Sequence, residues 1–263
     1  MRRFLVLKDK LSYTFLRKGL TALQFLTIFP IKIKSEIKGK DFGASLLYFP
    51  LVGLLIGLLL SLSALSFSFL PSLVKGAIIL ILSIFITGGI HLDGFTDTCD
   101  GFYGNKPREK ILEIMRDSRI GAMGLIGVVS ILLLKFSLIV SFPEILLWKT
   151  LIVMSVFSRW SQGFACLEAC YARQEGKAKY FIEYARPRDV FVGGIFTLGL
   201  FLLLMSLKGA ILFFLSLIPV FLFLRYIKKK IGGMTGDTIG AVNEIAEVCV
   251  FLFSLILSRI PVW

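Results

Sequence analysis

The chain has 263 residues, of which 56% are apolar, and its mean hydropathy is +0.84. Soluble globular domains are typically about 45–50% apolar, so this composition predicts a membrane protein. Thirty Lys and Arg against 17 Asp and Glu give a net charge of +13. No nucleic-acid-binding motif accompanies that charge, so we expect no nucleic-acid partner. Four cysteines without a C-x-x-C pair, and one histidine, argue against a zinc site or a disulfide framework.

Residues 1–43 form a basic cytoplasmic or interfacial segment that contains ten Lys and Arg. Within it, residues 12–30 place Leu16, Leu20 and Leu23 on one helical face, and Pro30 ends the pattern. We interpret this stretch as an interfacial helix. A short re-entrant or spanning helix is the alternative.

Stretches of about 17–25 mostly apolar residues are typical of transmembrane helices. The sequence predicts seven of them, at 44–70, 74–90, 121–141, 146–167, 190–207, 209–225 and 239–258. Short breaks at Pro71-Ser72 and Lys208-Gly209 predict antiparallel neighbours. Because no polar linker divides the chain, we expect an all-α integral membrane protein with one polytopic domain over 1–263.

The positive charges predict the orientation of these helices. Residues 1–43 and the loops 91–120, 168–189 and 225–238 hold 24 Lys and Arg, whereas the opposite side holds three. Cytoplasmic loops carry the excess of Lys and Arg, so the N-terminus should be cytoplasmic and the C-terminus outside. The polar motifs described next then lie on the cytoplasmic face.

The first motif, Gly88 to Gly101, follows the second predicted span. Asp93, Asp97 and Asp100 are spaced i, i+4, i+7 and share one face of a helix. Three like charges repel unless a cation lies between them, and Mg²⁺ prefers carboxylate oxygens. We therefore predict a Mg²⁺ site here, with an Asp-rich solvated loop or helix cap as the alternative. His91 is a candidate general base or an anchor of the helix end.

The second motif, Arg116-Asp117-Ser118-Arg119, precedes the third predicted span. Arginine makes planar bidentate contacts with phosphate, so Arg116, Ser118 and Arg119 are candidate substrate-binding residues. Asp117 is a candidate catalytic residue. Anchoring by the positive-inside rule explains the arginines equally well, but it does not explain the aspartate.

The third motif, Gly232 to Gly240, leads into the last predicted span. Asp237 and Glu244 are seven residues apart and share a helical face, and Glu247 follows one turn later. An ionisable side chain inside a membrane span is energetically costly, so its presence there predicts a functional role. Two solvent-facing glutamates are the alternative. The candidate residues are Asp237 and Glu244 for catalysis, and Gly236 and Asn243 for substrate binding.

Three further charges fall inside predicted spans. Arg159 either snorkels to the membrane surface or turns inward to a phosphate or a carboxylate, which makes it a candidate substrate-binding residue. Lys135 and Lys149 lie nearer the outer side, and we expect them to snorkel. Together the motifs supply carboxylates for metal, arginines for phosphate and glycines for access, as phosphoryl transfer requires.

The runs GGIHLDGFTDTCDGFYG, RDSRIGAMG and GGMTGDTIGAVNEIAE resemble those of the cobalamin synthase (adenosylcobinamide-GDP ribazoletransferase) family. The stretch TALQFLTIFP also resembles the opening of that family, and order, spacing, length and hydropathy agree along most of the chain. The resemblance implies an enzyme of the prokaryotic cytoplasmic (inner) membrane. A homo-oligomer is compatible with the sequence.

The resemblance also implies a Mg²⁺-dependent reaction. A hydroxyl of α-ribazole, or of its 5′-phosphate, attacks the phosphate on adenosylcobinamide-GDP, and GMP leaves. Asp93, Asp97 and Asp100 would hold the metal. Asp237 and Glu244 would complete a metal site, or one of these carboxylates would accept the proton from the hydroxyl, and the sequence leaves both readings open.

Two other functions compete with this one. Asp97-Thr98-Cys99-Asp100-Gly101 matches the start of the CDP-alcohol phosphotransferase signature, but Gly104-Asn105 stands where that signature continues with Ala-Arg. A membrane transporter is the alternative of another class, with Arg159 and the two glutamates of the last span along an ion path. Transporter sites usually lie near the midplane with repeat symmetry, whereas these motifs cluster at one side.

Overall fold

The computed structural model describes residues 15–31, 33 and 37–259. Their helices are α1 (15–26), α2 (Gly39–Ser45), α3 (Phe49–Ser66), α4 (Ser72–Thr87), α5 (Ile90–Phe102), α6 (Arg108–Ile114), α7 (Ala122–Ser141), α8 (Glu144–Glu168), α9 (Lys179–Glu183), α10 (Pro187–Ile231) and α11 (Gly236–Arg259). A 3₁₀ turn, Leu46–Tyr48, joins α2 to α3. Within these ranges there is no β-strand, only one isolated bridge between Tyr171 and Met234. The all-α prediction is confirmed for this part of the chain.

Within the described residues, four helical stretches are long and apolar enough to cross a membrane. They are Gly39–Ser66, Ala122–Ser141, Pro187–Ile231 and Gly236–Arg259. The pair α4 and α5 adds a fifth if it counts as one bent span. Each of the seven predicted segments falls on a helix, but length and composition support four or five crossings.

Helix α10 is two antiparallel helices joined at Ser206. This residue has φ 54° and ψ −142°, which is not helical. The rings of Phe201 and Phe213 lie 5.7 Å apart between centroids, whereas residues twelve positions apart in a straight helix would be separated by about 18 Å. The chain therefore reverses, close to the break predicted at Lys208-Gly209. We name the two halves α10a (187–205) and α10b (207–231).

Helix α8 lies at the centre of the bundle, and its residues from Thr150 to Gly163 are all buried. Helix α3 packs against it through glycines. A Cβ on Gly53 would lie 2.3 Å from the Ser155 carbonyl oxygen, and one on Gly57 would lie 2.7 Å from Ile152 Cα. Small residues let two membrane helices approach this closely, so α3 and α8 form a rigid central pair.

Helix α5 turns away from α4 by 90°. Gly88 and Gly89 make the turn in the left-handed conformation, with φ 64° and 69°, where a side chain would be strained. Helix α5 therefore leaves the direction of α4 and packs against the first turns of α7 and α11. We treat it as lying outside the membrane-spanning helices. The first motif occupies this helix, as its i, i+4 spacing predicted.

The described part of the predicted interfacial segment is packed onto the bundle. Phe25 of α1 lies 4.4 Å from Phe181 and 6.3 Å from Phe49, measured between ring centroids. The Ile28 amide donates to the Ile86 carbonyl at 2.9 Å, at the end of α4. Residues 1–14 lie outside the described residues, and contact of this segment with a membrane surface stays a prediction.

Candidate active site

The first and third motifs meet where α5 crosses the start of α11. A Cβ on Gly94 would lie 2.7 Å from the Asp237 carbonyl oxygen, and one on Gly240 would lie 3.2 Å from His91 Cα. Any side chain at Gly94 would push the helices apart. Glycine at this position therefore sets α5 against α11 and brings Asp93 and Asp97 beside Asp237.

These three carboxylates form a negative cluster in which only Asp237 has an ion-pair partner among the described residues. Asp93 is exposed, and Asp97 and Asp237 are half-buried. Burial, together with the charges of Asp237 and Asp93, raises the pKa of Asp97 to about 7. Within the described residues, neither Asp93 nor Asp97 forms an ion pair. The cluster thus has the excess of negative charge expected of a cation site.

Arg173 is the positive charge beside this cluster. Its Nη2 lies 2.7 Å from Asp237 Oδ2 and donates to the Met115 carbonyl at 3.2 Å. Its Nε is buried without a partner among the described residues. No local pattern in the sequence marks Arg173, which stands there only as one of many positive charges on the predicted cytoplasmic side.

Backbone pairing carries Arg173 to the site. The Ala172 amide donates to the Met234 carbonyl at 2.8 Å, and the Met234 amide donates to the Cys170 carbonyl at 2.9 Å. Thr235 and Thr238 then cap the start of α11 reciprocally, since the amide of each bonds the hydroxyl of the other at 2.9 and 3.2 Å. The third motif therefore fixes both partners of the Arg173–Asp237 pair.

Asp100 makes a different set of contacts from the other two aspartates of its motif. Its carboxylate oxygens accept the amides of Gly121 at 2.8 Å and Gly124 at 2.7 Å. These amides lie at the N-terminus of α7, where a carboxylate is favoured. The helix-cap interpretation therefore describes Asp100, and its role as a metal ligand stays a prediction.

The second motif lies in an exposed loop before α7. Arg119 and Asp117 pair with each other, Nη2 to Oδ2 at 2.6 Å. Hydrogen bonds from Arg119 lower the pKa of Asp117 to about 2, which makes it a poor proton acceptor. Ser118 is exposed beside them. Arg116 lines a groove of about 510 Å³ that Arg173 also lines, so it is the member of the motif beside the site.

A second group of charges is buried inside the bundle. Lys135 Nζ donates to Glu244 at 2.5 Å and to Glu247 at 2.6 Å. Arg159 donates to the other oxygen of Glu247 and to Ser158. The prediction that Lys135 snorkels is wrong, since it is 5% exposed and its partners are on α11. Two cations balance two anions here, so Arg159 and Glu244 belong to a neutral internal network.

A chain of side-chain amides joins this network to His91. Asn243 Nδ2 donates to Glu244 at 3.2 Å and to Glu247 at 3.1 Å. Gln162 Nε2 lies 2.8 Å from Asn243 Oδ1 and 3.2 Å from His91 Nε2. His91 is therefore anchored by a hydrogen bond, as one of its two interpretations predicted. Asn243, a predicted substrate-binding residue, is fully buried in this chain of amides. No local pattern in the sequence marks Gln162, which joins Asn243 to His91.

A cavity of about 440 Å³ opens beside Asp237. Its polar lining includes Asp237, Arg173, Lys177, His91, Gln162 and Gly236, and its apolar lining includes Phe25, Phe49 and Phe181. The charged side chains and the aromatic rings thus line one continuous space. That arrangement suits a ligand with both a phosphate and an apolar ring.

The donor set fits a hard cation that completes its shell from the substrate. Among the described residues, no three His, Cys, Asp or Glu side chains form a ready-made metal site. Mg²⁺ is usually held by one or two carboxylates, with substrate phosphate and water supplying the rest. Asp93 and Asp97, one helical turn apart on α5, provide that number of carboxylates.

The cobalamin-5-phosphate synthase family model matches residues 18–255. A relative from Clostridium acetobutylicum is 36% identical over 238 residues, which cover 89% of this chain and 93% of the relative. A relative from Acetivibrio thermocellus is 37% identical over 89% of this chain and 95% of its own length. Both are named adenosylcobinamide-GDP ribazoletransferase. No solved structure matches the chain significantly. The resemblance given by the three motifs is confirmed, and the chain belongs to the cobalamin-5-phosphate synthase family.

Proposed function

We propose that this chain transfers adenosylcobinamide phosphate from adenosylcobinamide-GDP to α-ribazole or its 5′-phosphate, with Mg²⁺. The products are adenosylcobalamin, or its 5′-phosphate, and GMP. The observation that carries the proposal is that Asp93 and Asp97 lie beside Asp237, which pairs with Arg173 in the lining of the cavity. The names of the curated relatives support the same reaction.

The transfer needs one proton acceptor. A hydroxyl oxygen of the acceptor forms a bond to the phosphorus attached to cobinamide, the bond from that phosphorus to the GMP oxygen breaks, and GMP leaves with the electron pair. Asp237 lines the cavity, and its Oδ2 is held by Arg173 and Thr235. The hydroxyl proton then passes to Asp237 Oδ1.

A substitution separates this role from metal binding. Asp237→Asn removes the proton acceptor, and loss of general base catalysis typically costs about 10²-fold or more in rate. We expect kcat to fall while the Mg²⁺ concentration for half-maximal activity stays unchanged. A large rise in that concentration would make Asp237 a metal ligand instead.

Asp93 and Asp97 would hold the Mg²⁺, and Asp100 would keep them in place by tying α5 to α7. When bound, the ion neutralises charge that develops on the substrate phosphates. The partnerless Nε of Arg173 is a donor for a phosphate oxygen. Arg116, on the adjoining groove, is the second such donor, and Ser118 and Arg119 stay predicted contacts.

We also propose that the chain crosses the cytoplasmic membrane seven times, with the N-terminus on the cytoplasmic side. Three of the apolar stretches each cross once, and the fourth crosses twice, as α10a and α10b. Helices α4 and α8 add two more crossings, which gives seven. The site is then built from helix ends on one side, namely the start of α7, the loop after α8 and the start of α11. The excess of Lys and Arg in the loops on that side supports the cytoplasmic location.

The test is GMP release by purified protein in detergent, given adenosylcobinamide-GDP and α-ribazole 5′-phosphate with and without Mg²⁺. Release that requires all three components is the expected result. No release from a folded sample would overturn the proposal. Substrate movement that needs sealed vesicles would favour a transporter, because an enzyme requires no separated compartments.

A further inference from the structure

On the basis of the proposed function, we propose that the 440 Å³ cavity is the binding site of the acceptor nucleoside. The aromatic base would lie against Phe25, Phe49 and Phe181. A sugar hydroxyl would donate a hydrogen bond to Gln162 Oε1. The orientation of the Gln162 amide, the aromatic lining and the size of the cavity all favour this ligand.

The buried network fixes the orientation of two amides. The carboxylates of Glu244 and Glu247 accept only, so the side of Asn243 that faces them must be its Nδ2. Asn243 Oδ1 then faces Gln162, and the Gln162 atom at 2.8 Å must be the donor Nε2. Charges deep in the bundle thereby determine which atom of Gln162 is left for the cavity.

The same network sets the protonation of His91. Gln162 Nε2 donates to Asn243 and also lies 3.2 Å from His91 Nε2, which must therefore accept. The proton of a neutral His91 is then on Nδ1. His91 Nε2 is occupied in this arrangement, so His91 positions Gln162 and does not act as the base at that nitrogen.

Gln162 Oε1 is left without a donor. The residue is fully buried, it lines the cavity, and Oε1 has no hydrogen-bond partner in the described part of the chain. A buried acceptor without a donor is costly, and most such groups are satisfied by protein, water or ligand. A ligand that offers a hydroxyl at this point would satisfy it.

Part of the cavity lining is aromatic. The ring of Phe181 lies 4.4 Å from that of Phe25 and 5.6 Å from that of Phe49, between centroids. The benzimidazole base of α-ribazole has no N–H and one free ring nitrogen, so it loses few hydrogen bonds against such a wall. Guanine presents several donors and acceptors, which these rings would leave unpaired.

The dimensions and charges agree with a nucleoside. Pockets for drug-sized ligands occupy roughly 300–1,000 Å³, so about 440 Å³ holds a nucleoside but not a corrin ring with its amide side chains. Lys177 also lines the cavity and suits a 5′-phosphate. Asp237 lines the same space, which places the proton acceptor on the cavity that holds the attacking hydroxyl.

The decisive variant is Gln162→Met, which keeps the length of the side chain and removes its polar atoms. We expect the KM for α-ribazole 5′-phosphate to rise about tenfold, as the loss of one hydrogen bond implies. The KM for adenosylcobinamide-GDP should stay within about twofold, since the donor binds elsewhere. Thr150→Val on the same helix, a buried polar residue bonded to Ser254, is the matched control and should change neither KM.

Phe25→Leu provides a second variant outside the buried network. It should raise the same KM, because it removes aromatic contact with the base. It carries the test if Gln162→Met fails to fold. A rise in the KM for adenosylcobinamide-GDP instead would assign the cavity to the nucleotide and overturn the proposal.

Equilibrium dialysis of α-ribazole against the protein in detergent, without the other substrate, separates the two proposals. Binding that Phe25→Leu weakens, in a protein that releases no GMP, would support the cavity assignment while the proposed reaction failed. GMP release from a protein whose α-ribazole KM and binding are unchanged in both variants would overturn the cavity assignment alone.

Discussion

Two groups of charges among the described residues differ in whether their positive and negative charges balance. In the buried network Lys135 and Arg159 neutralise Glu244 and Glu247. At the end of the bundle Asp93, Asp97 and Asp237 face one arginine. Both groups include residues from the last helix, only two turns apart.

The difference assigns the two groups to different tasks. A balanced buried network satisfies itself and stabilises one arrangement of helices, whereas losing one partner leaves an uncompensated charge. The negative charge of an unbalanced cluster at a cavity is compensated only when a cation binds there together with an anionic ligand. The same residue types thus serve folding in one place and binding in the other.

Breaking the balanced network should have the largest effect. Glu247→Gln leaves Lys135 and Arg159 with one carboxylate, and removing a partner from a buried ion pair costs about 3–5 kcal/mol. We expect a clearly lower unfolding temperature in detergent. Glu168→Gln, at a half-exposed pair with Lys228, is the control and should unfold nearly as the wild type does. Equal unfolding temperatures for the two variants would refute the structural role.

Breaking the unbalanced cluster should affect activity and leave stability intact. Asp93→Ala removes a charge that aids catalysis, and we expect kcat/KM to fall on the order of 10²–10³-fold, as for loss of one electrostatic stabiliser. The unfolding temperature should not fall, because the substitution relieves repulsion with Asp97.

The control for that variant is Glu183→Ala, an exposed carboxylate of α9. Its activity should equal that of the wild type. Full activity in Asp93→Ala would end the metal assignment for this residue.

Arg173→Lys sharpens the comparison, because it keeps the charge and removes the guanidinium geometry. Loss of the Nε donor should raise the KM for adenosylcobinamide-GDP by about tenfold, the equivalent of one charge-assisted hydrogen bond. Unfolding of the variant should be nearly unchanged. An unchanged KM would show that only the charge of Arg173 matters.

The smallest effect is expected at the exposed pair of the second motif. Arg119 is 87% exposed on its side chain and pairs with Asp117. Arg119→Ala should change KM by no more than about twofold, since exposed ion pairs contribute little. A tenfold or larger rise would instead establish the phosphate contact that the sequence predicted.

Much of the fold follows from local sequence. The predicted segments at 121–141 and 239–258 correspond to Ala122–Ser141 and Gly236–Arg259, because hydropathy over a helix length depends on nearby residues alone. The i, i+4 spacing likewise placed Asp93 and Asp97 on one face of a helix. The glycines between α4 and α5 were noted, but the 90° turn that they form was not predicted.

The contacts between distant residues did not follow from local sequence. Lys135 was expected to snorkel, and its partners lie on α11, more than one hundred positions along the chain. Asp100 shares the face of its neighbours, yet it caps α7 because that helix starts within reach of it. Whether a charge pairs or faces a ligand depends on what the next helix presents.

By itself the sequence determined the family, the apolar helices and the three motifs that hold the carboxylates, since these features reside in runs of adjacent residues. The tertiary structure alone decided that Arg173 reaches Asp237, that the buried charges neutralise one another and that Gln162 faces a cavity. Those facts depend on how helices rotate and cross, which is settled by the packing of glycines and side chains from distant parts of the chain.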